Sequence, residues 1–262
     1  MTTPGLSSGL MFRQEWGSDG VKEKVRRMFI PVVILASIVL MLVMVSQAPS
    51  EAQMQLMEYA KEKEIDFSLY PSSMVKLLER NPEAEKFVRA YPFRVEKHVD
   101  LSSYDDAYSV PLFLQWDEQW GYLTCNGDFV GCSGSAPMCL AMAGYYVSRG
   151  EAKFSPEKIV AYADENGYSD DVLISLGGKN LGLKVTGISR EEQKIATYLR
   201  NGNPIIASTG PGDFDNYIVL TGYHNGMVTV NDPDSRVNSE KQWPFEELHG
   251  QIRKLWVIQN AE

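Results

Sequence analysis

The residues whose types and spacing carry the most chemistry lie between Gly131 and Met142, which read GCSGSAPMCLAM. Ser135 stands where an apolar helical pattern begins, with thiols at Cys132 and Cys139 on either side. The positive end of a helix depresses the pKa of a thiol placed there and stabilises negative charge on a nucleophile. Such a position serves nucleophilic attack on a carbonyl, which requires a base to take the proton and an Asp or Asn to orient that base. A distant stretch, Gly210 to Asp232, reads GPGDFDNYIVLTGYHNGMVTVND. Asn216 opens its first strand, where a base would be carried, and Asp232 follows the next strand, where an orienting acid would stand. Asparagine has no titratable site, so Ser135 paired with Asn216 lacks the proton acceptor a serine nucleophile needs.

The other reactive side chains give this arrangement little help. Cys132 is the alternative nucleophile, but using it shifts the register and gives up Pro137 in the first helical turn. Cys139, one turn along the helix from Ser135, reads as a small buried hydrophobe. Gln115 and Asn126 are upstream amides that could donate to an oxyanion; the plainer reading of each is an ordinary surface or turn amide. His98 falls in a connector, His224 at a hairpin tip and His249 near a short helix around Phe245–Gly250. No histidine lies at ligand spacing from Cys125, Cys132 or Cys139, so neither a metal nor a cofactor is expected. The three thiols are compatible with one disulfide and a free thiol or with three reduced, buried side chains.

These residues need elements to position them. Apolar faces at Leu140, Ala141, Tyr145 and Val147, with Arg149-Gly150 as a stop, predict a helix from Ser135. A second helix is predicted from Ser155 to Asn166, with Ser155 as N-cap, Pro156 at the first position and Asn166-Gly167 at its end. Short strands are expected at Val110–Gln115, Leu183–Ile188, Pro204–Ser208, Tyr217–Tyr223, Met227–Asn231 and Ile252–Gln259, with a helix at Arg190–Asn201. His224-Asn225-Gly226 carries a hairpin signal. Helices first and antiparallel strands later make an α+β domain over residues 110–262.

The rest of the chain reads as an attachment. Met28 to Val45 is uncharged and, with Ser46, reaches the roughly 20 residues that cross a bilayer, so a transmembrane signal anchor is expected at 28–46. Lys22, Lys24, Arg26 and Arg27 put residues 1–27 in the cytoplasm and the remainder outside, as a single-pass cell-membrane protein. A cleavable signal peptide ending near Ser46-Gln47-Ala48 is the competing reading, against which stand the long preceding segment and the long apolar run. Residues 47–109 then form a solvated, helix-prone stalk over Glu51–Lys63, where Met54, Met57 and Tyr59 are too sparse to demand burial, two short helices within Met74–Tyr91 and an irregular connector. A net charge of −9, with no basic cluster beyond the juxtamembrane one, argues against a nucleic-acid partner.

Seven stretches in order carry a family resemblance: LQWDEQWGY (114–122), SGSAPMCLAM (133–142), ENGY (165–168), LGLKV (181–185), NPIIASTGPGDF (203–214), IVLTG (218–222) and VNDPDS (230–235). With them, Pro111 to Ile258 resembles the C39-like branch of the papain-like cysteine peptidases found in many bacterial surface proteins. The resemblance implies a papain-like fold and makes Ser135 the counterpart of the nucleophilic cysteine. It sets Asn216 at the position of the histidine and Asp232 at that of the acidic orienter. A degenerate triad of this kind implies a pseudoenzyme whose former active-site cleft, with the GPGDF loop and Trp116 and Trp120, binds a peptide or protein segment. The competing readings are a peptidase or amide hydrolase using Ser135 or Cys132, and a membrane-associated scaffold.

Overall fold

A computed structural model describes residues 29, 31, 32, 34, 35, 37, 48–104, 106, 108–212 and 216–261. The chain divides into a unit spanning Met1–Pro49 and a second spanning Ser50–Glu262. In the first, Phe29, Pro31, Val32, Ile34, Leu35 and Ser37 are helical and exposed. The anchor expected at 28–46 lies for the most part outside the described residues, among which no helix is long and apolar enough to cross a membrane.

The second unit begins with three helices, α1 (Glu51–Glu62), α2 (Ser72–Arg80) and α3 (Glu85–Ala90). The solvated stalk expected over Glu51–Lys63 is corrected here. Leu56 and Ala60, one turn apart, are buried in a cluster with Met74, Leu77, Phe87 and Val88. Two such residues suffice because α1 offers one narrow face to a neighbour rather than a broad core face. Downstream, β1 (Thr124–Cys125) and β2 (Asp128–Phe129) form a small hairpin leading into α4 (Val130–Ser133) and α5 (Ser135–Val147). The helix α6 (Pro156–Asn166) ends at Gly167 in the left-handed conformation, φ 59°. Ser155 takes the N-cap backbone, but its side chain makes no cap hydrogen bond.

Six strands build the main antiparallel sheet: β3 (Leu183–Gly187), β4 (Ile205–Thr209), β5 (Tyr217–His224), β6 (Met227–Asn231), β7 (Gln242–Pro244) and β8 (Ile252–Asn260). Their spatial order is β3-β8-β4-β5-β6-β7. Side-chain alternation divides the core between the two faces. Ile206, Val219, Trp256 and Ile258 pack with α5, whereas Ile205, Ala207, Leu220 and Val257 pack with Ile195 and Leu199 of α7 (Glu192–Arg200). Every residue of α5 from Ser135 to Tyr145 is buried, which explains an apolar surface all round rather than one stripe. The turn between β5 and β6 places Asn225 and Gly226 at φ 50° and 78°, as its Asn-Gly signal requires.

Residues 110–115 are not a strand. The segment pairs with no strand and is stitched to the end of β6 and the turn after it, with Asn231 Nδ2 donating to the carbonyls of Val110 and Pro111 and Gln115 N donating to Pro233 O. Its apolar residues Phe113 and Leu114 are buried without a ladder partner. Strand β7 has three residues, too few for a period of two to be legible.

Candidate functional site

Ser135 is the first residue of α5 and only 2% exposed. The preceding Gly134 is required by packing, since a Cβ there would come within 2.6 Å of both Val130 Cγ1 and the Val130 carbonyl oxygen. Asn216 is fixed through its backbone, its N–H donating to Thr209 Oγ1 (3.1 Å) and its carbonyl accepting from Thr209 N (2.8 Å). Asp232 directly follows β6 and is buried. Ser135, Asn216 and Asp232, brought from three elements, line one cavity of about 450 Å³.

The contacts of Asp232 show what it orients. One carboxylate oxygen accepts from Asp234 N (2.9 Å) and the other from Asn238 Nδ2 (2.9 Å), a side chain just beyond the start of α8 (Arg236–Ser239). Burial pushes its pKa up to about 6, against the opposing bonds from Asn238 and Asp234. The acid therefore orders its own turn. No histidine lines the cavity among the described residues. His98 lies beside Trp120 in a different hollow, while His224 is exposed next to Asn225 and His249 ends α9 (Phe245–His249). Ser135 Oγ makes no hydrogen bond among the described residues.

The two oxyanion candidates part company. Gln115 is fully buried beside the site, but its Nε2 already donates to Gly131 O (3.2 Å) and to Asp234 Oδ1 (3.0 Å). Both amide hydrogens are thus committed. Asn126 does not reach the cavity: it sits at the tip of the β1–β2 hairpin at φ 52°, bonded to Asp164 and to the Tyr168 carbonyl. It is a turn amide, and its oxyanion assignment is corrected.

All three cysteines are free thiols. Cys132 does not line the cavity, and its sulfur lies 3.8 Å from Met74 Sδ among the N-terminal helices. Burial pushes the Cys132 thiol up to about 11, with Ser73 and Arg80 opposing, so it is protonated at neutral pH and a poor nucleophile. Burial likewise raises Cys139, which is fully enclosed, and Cys125. Trp120 is plain core, 1% exposed, donating to the Leu114 carbonyl. Trp116 holds the site's edge by donating to Asp234 O (3.0 Å). Of the GPGDF loop, Gly212 lines the cavity and residues 213–215 lie outside the described set. No group of metal-ligating side chains is found among the described residues.

Further polar residues of the cavity escaped sequence reasoning. Asp234 and Asn238 lie just past Asp232, while Arg80, Asn81 and Glu83 come from the α2–α3 junction. The Asn81-Pro82 pair signals a helix break, but nothing local says that the break meets residues about 150 positions later.

The sequence model of the Peptidase_C39 like family matches residues 108–260. Among curated protein sequences none matches the chain. Several solved structures are similar, among them two peptidases. One is a double glycine motif protease from an AMS/PCAT transporter in complex with the leader peptide, 17% identical, covering 58% of this chain and 93% of that chain at a TM-score of 0.40. The other is the peptidase domain of Streptococcus ComA, a bifunctional ABC transporter involved in a quorum-sensing pathway, 18% identical, covering 58% and 98% at 0.39.

Proposed function

We propose, from the premise that this chain belongs to the Peptidase_C39 like family, that its cleft holds a peptide or protein segment without cutting it. One observation carries this reading: Ser135, Asn216 and Asp232 meet on a single cavity whose described lining contains no imidazole and no thiol. Acyl transfer from serine needs a base, Asn216 supplies none, and Asp232 spends both oxygens on Asn238 and Asp234. Losing the nucleophile or base of a catalytic triad costs on the order of 10⁶ in turnover. The cleft itself persists, lined by amides, carboxylates and one guanidinium suited to a peptide's polar groups. A fluorophosphonate probe applied to the purified protein tests the reading. No stoichiometric label is expected at Ser135, and the same holds for iodoacetamide at Cys132 near neutral pH. Labelling that Ser135→Ala or Cys132→Ala abolishes would make the protein an enzyme.

The same proposal keeps the protein on a membrane through residues 28–46, with the cleft on the extracytoplasmic side. Support comes from the uncharged Met28–Val45 run and the basic residues before it. Retention in the pellet after alkaline carbonate extraction is expected, and release would remove the anchor from the reading.

A further inference from the structure

One wall of the cavity comes from outside the matched residues 108–260: it is the junction Arg80–Glu83, between α2 and α3. Its attachment is polar. The Arg80 guanidinium pairs with the Asp234 carboxylate and donates to Cys132 O (2.8 Å). Asn81 Nδ2 donates to Asp234 O and, at 3.2 Å, to Asp234 Oδ1. Glu83 accepts from Ser235 Oγ and from the backbone N–H groups of Arg236 (2.9 Å) and Val237 (3.3 Å) in the first turn of α8. Between Asn81 and Glu83, Pro82 is exposed. On the far side, the carboxylate that receives Arg80 is the one that occupies the Gln115 amide.

We propose that Arg80–Glu83 is a resident strap on the cleft, which an incoming peptide segment replaces by presenting its own basic side chain to Asp234. This rests on the reading that the cleft binds a peptide. The requirement for a base follows from burial. Asp234 is mostly enclosed, and taking Arg80 away leaves a carboxylate served only by the neutral amides of Asn81 and Gln115, an expensive state for a buried charge. Burial pushes the Asp234 pKa up, and the charge of Arg80 is the largest effect opposing that shift. An arginine matches best, since the site already receives a guanidinium fork shared between a carboxylate and a carbonyl. Because the strap is tethered, it competes at a high effective concentration and holds the affinity for an outside segment down.

The test uses the full-length protein, its Arg80→Ala variant, and a fluorescent peptide with the sequence Glu79–Lys86. Fluorescence anisotropy is expected to show the peptide binding Arg80→Ala at least about tenfold more tightly than wild type, the competing strap having been weakened. A peptide with alanine in place of its arginine is expected to lose that gain. Hydrogen exchange at the Arg236 and Val237 amides, which bond Glu83 rather than Arg80, is expected to quicken in Arg80→Ala and to slow again when peptide is added. Unchanged exchange, or equal peptide affinity for the two proteins, overturns the strap and leaves the peptide-binding reading standing. Quickened exchange with no binding of either peptide overturns that reading and the replacement step with it. Arg80→Gln, which keeps the length of the side chain, takes the place of Arg80→Ala if the latter does not fold.

Discussion

The N-terminal helices meet the sheet domain through two surfaces of opposite character. On one, the Phe87 ring lies so close to Gly131 and Gly121 that a Cβ would approach it to 2.5 Å and 2.7 Å. Tyr122 stacks on the same ring at 4.3 Å, and Tyr91 meets Phe129 edge-on at 5.4 Å. On the other, Arg80, Asn81 and Glu83 meet residues 234–237 through charges and amides. The apolar surface has no substitute in water, whereas each of these bonds to a charged group contributes a net of about 1.5–3 kcal/mol and can be exchanged for an equivalent donor or acceptor. Attachment and closure are therefore separable: Phe87 keeps the helices in place while Arg80–Glu83 can yield.

The largest test of that separation is Phe87→Ala. Truncating this buried ring is expected to cost about 3–5 kcal/mol in urea denaturation, and a loss below about 1 kcal/mol would mean that the apolar surface is not the anchor. Next comes the titration of the polar side. A carboxyl whose folded pKa is raised contributes stability that is present below its unfolded pKa and lost as pH rises through the folded value. For Asp232, held up at about 6 chiefly by burial, wild-type stability relative to Asp232→Asn is expected to fall by roughly 2 kcal/mol between pH 4 and pH 7. A flat difference would mean that the carboxylate is as well solvated folded as unfolded. The smallest effect belongs to Trp116→Phe, which removes the bond to the Asp234 carbonyl. It is expected to cost about 1 kcal/mol and to leave the Phe87 surface intact, as checked by unchanged proteolysis of α1 to α3.

The same contrast explains what was legible in the sequence. Features set by a few neighbouring residues were readable: α5 with Pro137 in its first turn, Pro156 and Gly167 bounding α6, and the Asn225-Gly226 hairpin. The stretches quoted for the family resemblance fall within the matched residues, and three of their neighbourhoods converge on the cavity through Ser135, Asn216 and Asp232. What escaped depended on distant partners. Gln115 reads as an ordinary amide until Asp234 is placed against it. The apolar run at 110–115 reads as a strand until Asn231 takes its carbonyls, and α1 reads as solvated until Leu56 and Ala60 find the α2 face.

Gly121 and Gly131 have a practical meaning for anyone cutting this protein into pieces. A fragment trimmed to residues 108–260 would keep both glycines but lose the ring they were left bare to receive, along with Arg80, Asn81 and Glu83. It would carry an uncovered apolar footprint beside a cleft with one side missing. Stickiness or affinity measured on it would belong to the truncation, whereas expression from Ser50 onward takes the whole second unit and keeps footprint and cleft together.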